Sequence, residues 1–101
     1  LETISKEIEE LLETVVSLRS VEEARCFLRD LLTESELTEF GKRWKAARML
    51  SEGQPYSRIV SKTGLSSTTV ARISHWLKDG TGGYRMMIER LNHHSHHLHR
   101  A

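Results

Sequence analysis

Two short apolar-periodic segments meet at one glycine in the stretch YSRIVSKTGLSSTTVARISHWLK, from Tyr56 to Lys78. Ile59 and Val60 precede Gly64, and Leu65, Val70 and Ile73 follow it. The spacing predicts two helices crossing near a right angle at a glycine-containing turn, a helix-turn-helix over about 56–78. Ser66 is expected to cap the second helix by accepting from the amide of Thr68 or Thr69. On that helix Val70, Ile73 and Leu77 share an inner face. Ser67, Thr68, Ala71, Arg72 and His75 fall on or beside the other face, which suits a major groove better than a protein core.

Each outward residue type has a use against DNA. Ser67 and Thr68 sit in the first turn, the part of a recognition helix that points to base edges. Their hydroxyls donate or accept and so discriminate bases weakly, while the methyls of Thr68 and Ala71 can pack on a thymine methyl. Arg72 can contact guanine in bidentate fashion, worth about 1–3 kcal/mol of discrimination. His75 can reach a base or a phosphate. Arg58, Lys62 and Lys78 are better placed for phosphate, adding affinity without sequence information. Other readings stay open residue by residue: Arg72 facing a small-molecule pocket, His75 simply solvated, Thr68 and Thr69 as surface residues near a cap.

Charge supports the nucleic-acid reading. Leu1 to Gly41 holds 4 basic and 11 acidic residues, a net of −7, and Lys42 to Arg90 holds 10 basic and 3 acidic, a net of +7. The basic half contains the helix-turn-helix and can lie on phosphates while the acidic half faces away.

The remaining chain predicts four more helices and no strand. Ile4, Ile8, Leu11, Leu12, Val15 and Leu18 form one face of a first helix from Thr3 to Leu18. Ser20 with Glu23 has the pattern of a capping box opening a second helix, whose inner face is Ala24, Phe27, Leu28, Leu31 and Leu32. Thr33 with Glu36 repeats that pattern before a third helix carrying Leu37, Phe40, Trp44, Ala47 and Leu50, which Gly53 and Pro55 stop. The fourth helix is expected over Tyr56 to Lys62 and the fifth up to Lys78. A loop from Asp79 to Gly83 leads to a sixth helix from Tyr84 to about Leu91.

At 101 residues the chain reads as one domain over 1–91, followed by a His-rich tail over 92–101 that is expected to be disordered. A core this modest is often completed by dimerisation. No apolar run exceeds three residues, so no membrane span is expected. The acidic, amphipathic LETISKEIEE is unlike a secretory signal. The single cysteine, Cys26, cannot form an internal disulfide, which fits the cytoplasm, and with Phe27 and Leu28 beside it a packed thiol is expected. His93, His94, His96, His97 and His99 crowd the tail. His93 and His97 would lie one turn apart on a continued helix, but no carboxylate or cysteine there completes a closed site, so neither metal nor cofactor is assigned. An enzyme is not expected: no nucleophile–base pair stands at recognisable spacing, and the glycines of DGTGG follow a helix rather than a strand.

From about Leu32 to Leu91 the chain resembles the tryptophan repressor superfamily, and most of all its repressor-related branch of the YerC/YecD type. The resemblance is carried by LLTESELTEFGKRW, by TGLSSTTVARISHWLK, by the following DGTGGY and by the order of six helices. It implies an all-α intertwined homodimer whose first three helices interlock with those of its partner. The two recognition helices would then read half-sites about one helical turn apart on double-stranded DNA. By position it carries over three polar contacts of an effector pocket, Thr33, Arg43 and Arg72. Two positions depart from the pattern. Ile73 stands where the family's pocket has a glycine that leaves room for the ligand's indole, and Trp76 stands where it has a serine that contacts the ligand's amino group. Added bulk in a packed site costs about 1–3 kcal/mol, so L-tryptophan is not expected as corepressor, and Ile73 and Trp76 are expected to hold the recognition helix against the core instead. The expected function is a sequence-specific transcriptional regulator, a repressor reading a near-palindromic operator. The rival is a helical protein-interaction adaptor of the transcription or replication machinery.

Overall fold

The computed structural model describes residues 5–100, with side chains described over residues 5–93. The order is α1 (Lys6–Val16), α2 (Val21–Leu31), α3 (Glu34–Ser51), α4 (Tyr56–Thr63), α5 (Ser67–Asp79) and α6 (Gly83–Arg100). No strand occurs among the described residues. The chain divides into two compact units, Leu1–Leu37 and Thr38–Ala101.

In the first unit, hydroxyl caps set the helix starts. Ser5 accepts from the Ile8 amide at 3.2 Å and opens α1; Thr3, the expected start, lies outside the described residues. The helix ends at Val16, before Leu18, because the Ser17 hydroxyl bonds back to the Thr14 carbonyl at 2.7 Å and competes with the helical ladder. Ser20 accepts from the Glu23 amide at 3.1 Å, but the Glu23 carboxylate reaches the Arg19 amide, one residue earlier than in an ordinary capping box. The box at α3 is reciprocal: Thr33 Oγ1 accepts from the Glu36 amide at 3.0 Å, and Glu36 Oε1 accepts from the Thr33 amide at 2.9 Å.

No residue of α1 or α2 is buried. Ile8, Leu12 and Val15 follow the helical period yet remain 50%, 46% and 42% exposed. Cys26 is exposed rather than packed, since α2 buries none of its residues.

The second unit holds the core. Ala46, Ala47 and Met49 of α3, Ile59 of α4, Leu65 of the turn, Val70 and Ile73 of α5 and Ile88 of α6 are buried together. Trp44, Leu50, Val60, Leu77 and Tyr84 pack against them. The buried arc of α3 is not the whole expected stripe: Ala46 and Met49 are inside, whereas Phe40 is about half exposed. Apolar residues surround the second half of α3, so periodicity alone cannot choose the buried side. At α6 the helix continues to Arg100, past the expected end near Leu91. The apolar stripe stops at Leu91, but no glycine or proline follows to break the backbone.

Candidate nucleic-acid interface

The geometry of α4, the turn and α5 is set by four short-range devices. Pro55 precedes α4 with extended backbone and pre-sets its start. Thr63, buried at the end of α4, donates from its hydroxyl to the Ile59 carbonyl at 2.7 Å and accepts from the Leu65 amide at 3.2 Å. One side chain thus stitches the helix end to the first residue after the turn. Gly64 takes φ +77°, a left-handed conformation that glycine adopts without steric cost, and its amide donates to the Val60 carbonyl at 2.9 Å. Ser66 then caps α5, accepting from the Thr69 amide at 3.1 Å and donating to the Thr69 hydroxyl at 3.0 Å.

Burial divides α5 into the two faces expected. Val70, Ile73 and Ser74 are buried, and Leu77 packs on the core. Ser67, Thr68, Ala71, Arg72, His75 and Lys78 are exposed. Thr68, Ala71, Arg72, His75 and Trp76 line one shallow groove of about 410 Å³. Among the described residues Arg72 has no hydrogen-bond or ion-pair partner, so its fork of donors is available. His75 Nδ1 lies 3.8 Å from an Asp79 carboxylate oxygen one turn on. On α4, Lys62 is exposed, and Arg58 is partly held because its Nε donates to Gln54 Oε1 at 2.9 Å.

Two of the three effector-pocket positions, Thr33 and Arg43, have other engagements. Thr33 is the cap of α3, with its hydroxyl oxygen taken by the Glu36 amide. Arg43 pairs with Glu39 at 3.3 Å. Its positive charge also bears on Tyr84, whose phenol is held above the ordinary tyrosine pKa by burial, with Arg43 opposing that rise. Arg72 lies on the outward face of α5. Ile73 is fully buried, as a side chain holding α5 to the core must be. Trp76 departs from that expectation: it is 45% exposed and walls the Arg72 groove as well as a second groove of about 640 Å³. The second groove is mostly apolar, with Trp44, Tyr84, Met86 and Met87 among its walls. Trp44 and Tyr84 stack at 6.3 Å and 21°, and Arg48 lies 5.8 Å from the Trp44 ring.

Two further cations stand beside these elements without a local sequence signal. A Cβ on Gly64 would come within 3.9 Å of Lys42 Nζ, so an ammonium from α3 stands beside the turn. Arg85 of α6 bonds to the end of α5. Both come from other helices, and the only sequence signal was their membership of the basic half. No group of three or more His, Cys, Asp or Glu among the described residues is placed to share a metal ion. The side chains of His94, His96, His97 and His99 lie outside the described residues. No helix among the described residues is long and apolar enough to cross a membrane.

Comparison with known proteins agrees with this architecture. The family model described as Trp repressor protein matches residues 6–92. The uncharacterized protein YerC of Bacillus subtilis is 36% identical over 86 residues, covering 85% of this chain and 83% of that protein. The crystal structure of a TrpR-like protein from Eubacterium eligens superposes with a TM-score of 0.84 at 34% identity, over 87% of this chain and 91% of that one. A candidate Trp repressor from Staphylococcus aureus gives a TM-score of 0.83 at 29% identity, over 88% and 89%.

Proposed function

Because the chain belongs to the Trp repressor family, we propose that it is a sequence-specific DNA-binding transcriptional regulator working as a homodimer, a repressor at a near-palindromic operator. One observation carries the reading: α5 buries Val70 and Ile73 while turning Ser67, Thr68, Ala71, Arg72 and His75 outward. That exposed face combines hydroxyls, methyls and a guanidinium with no partner among the described residues, the groups that read base edges in the major groove. Arg58, Lys62 and Lys78 flank it and supply phosphate contacts, and Lys42 beside the turn joins them. Double-stranded DNA is the partner, and the cytoplasm the compartment.

The dimer is supported by the first unit. Its 37 residues leave the apolar faces of α1 and α2 unburied, and a segment of that size does not build a core alone. Interlocking with the same helices of a second copy covers those faces. It also sets two α5 helices at half-sites about one helical turn apart.

The regulator does not use L-tryptophan. Ile73 fills the position at which an indole would need space, and its side chain is fully buried in the core. Trp76 supplies an indole nitrogen donor but no acceptor for an ammonium. Free L-tryptophan at millimolar concentration should leave the thermal midpoint unchanged, whereas saturable stabilisation at micromolar ligand would refute this part.

Duplex-DNA affinity measured by anisotropy over a salt series tests the main reading. Log K should fall linearly with log salt as counterions are released. Lys78→Ala should weaken every sequence alike and reduce the slope by about one, while Arg72→Ala should relax preference among sequences. Affinity indifferent to salt, or sequence preference untouched by Arg72→Ala, would count against it.

A further inference from the structure

Arg85 resembles one more phosphate-binding cation of the basic half, but its side chain is committed elsewhere. Its Nη2 donates to the Leu77 carbonyl at 3.1 Å and to the Lys78 carbonyl at 2.9 Å. These belong to the last turn of α5, where carbonyls have no partner within the helix. The Trp76 carbonyl is taken by the Gly80 amide at 2.9 Å, and Arg85 satisfies the next two.

The local backbone explains why a side chain is needed. A helix commonly ends on a left-handed glycine whose following amides close back on the last carbonyls. Gly80 is instead at φ −80°, ψ −156°, so that closure is missing. A Cβ on Gly80 would collide with the Trp76 carbonyl oxygen, and Gly82 turns the chain at φ +92°. This sharp return places the start of α6 against the end of α5. Asp79 puts a negative charge at the negative end of the α5 dipole, and the guanidinium brings a positive one to the same place.

We propose that Arg85 is a positioning residue: it clamps the C-terminal turn of α5 to α6 and so fixes the pose in which Arg72 and His75 face DNA. The inference rests on the DNA-binding reading above. It predicts that Arg85 contributes to affinity without touching a phosphate.

The test compares the wild-type chain with Arg85→Ala and Arg85→Lys. In Arg85→Ala the amides from Trp76 to Gly80 should exchange about tenfold faster, the factor carried by roughly 1.4 kcal/mol, while the amides of Ala46 and Ala47 keep their protection. Affinity for duplex DNA should fall by a similar factor with the salt slope unchanged. Arg85→Lys, which keeps a charged donor, should recover part of both. A slope reduced by about one with unaltered exchange would make Arg85 a phosphate contact and overturn the proposal, as would unaltered exchange and affinity together. If the wild-type chain binds no duplex DNA, the functional reading falls and the positioning role with it. The exchange comparison then still decides whether the clamp exists.

Discussion

Arg72 and Ile73 are adjacent in sequence and opposite in consequence, which makes them a sharp test of how α5 faces. Ile73 is fully buried, packed in one cluster with Ile59, Val70, Leu65 and the alanines of α3. Ile73→Ala removes three carbons from that cluster and leaves a cavity, a change that costs about 2–5 kcal/mol, and Ile73→Val about 0.5–1.5 kcal/mol. A domain of this size is stabilised by about 5–15 kcal/mol in all, so the alanine variant loses a large share. Arg72 is exposed and has no partner among the described residues, and substitutions at such sites stay within about 0.5 kcal/mol. Urea denaturation at one fixed protomer concentration measures all three, because association would otherwise shift the midpoint. With a slope of about 1.5 kcal/mol per molar urea, Ile73→Ala should lower the midpoint by about 2 M and Arg72→Ala by less than about 0.4 M. Duplex-DNA binding should show the reverse order of sequence selectivity, with Arg72→Ala the more damaged. Equal destabilisation by both alanines, or an Ile73→Ala cost under about 1 kcal/mol, would refute the assignment of faces.

Gly64→Ala should cost about 1–2 kcal/mol, the penalty of a left-handed conformation for a residue with a Cβ. Apart from its chain neighbours, no described residue comes closer to that Cβ than Lys42 Nζ at 3.9 Å, so the cost is conformational, Gly64→Asn should cost less, and an unchanged thermal midpoint for Gly64→Ala would contradict the turn geometry. Leu12→Glu should abolish the proposed dimer in sedimentation velocity, since a carboxylate on the α1 face cannot be buried unpaired; a dimer of undiminished affinity would show that the interface lies elsewhere, and a monomeric wild type would refute the dimer itself. Burial raises the Tyr84 phenol above its ordinary value of 10.0, so the native state holds that proton more tightly than the unfolded chain. Its stabilising contribution is complete below pH 10 and is lost as pH rises through the native-state value. Thermal midpoints of the wild type should therefore fall more steeply above pH 10 than those of Tyr84→Phe, and parallel curves would remove Tyr84 as the cause.

Much of the second unit was legible because its signals are local. The Gly64 turn, the Ser66 cap and the inward set Val70, Ile73 and Leu77 depend on residues within about two helical turns of each other, and all three stand in the structure. The outward set on α5 follows from the same period. What was not legible depends on packing between distant segments. Trp76 is expected to hold the recognition helix against the core, but it is 45% exposed and walls two grooves at the surface. The buried side of α3 could not be chosen because Phe40, Trp44, Ala46, Ala47, Met49 and Leu50 surround the helix. Arg85 counted only as one more positive charge, since its partners Leu77 and Lys78 lie across a glycine-rich return. Cys26 illustrates the limit of neighbour-based burial, because Phe27 and Leu28 are only partly covered in the same helix.

Selection of bound sequences from random duplex DNA bears most directly on the central claim, that the exposed face of α5 reads sequence as a pair. The account predicts enrichment of a near-palindrome whose two halves are about one helical turn apart, with preference at one position in each half relaxed by Arg72→Ala. Recovery of no sequence above background, from a protein that is folded and dimeric, would contradict it.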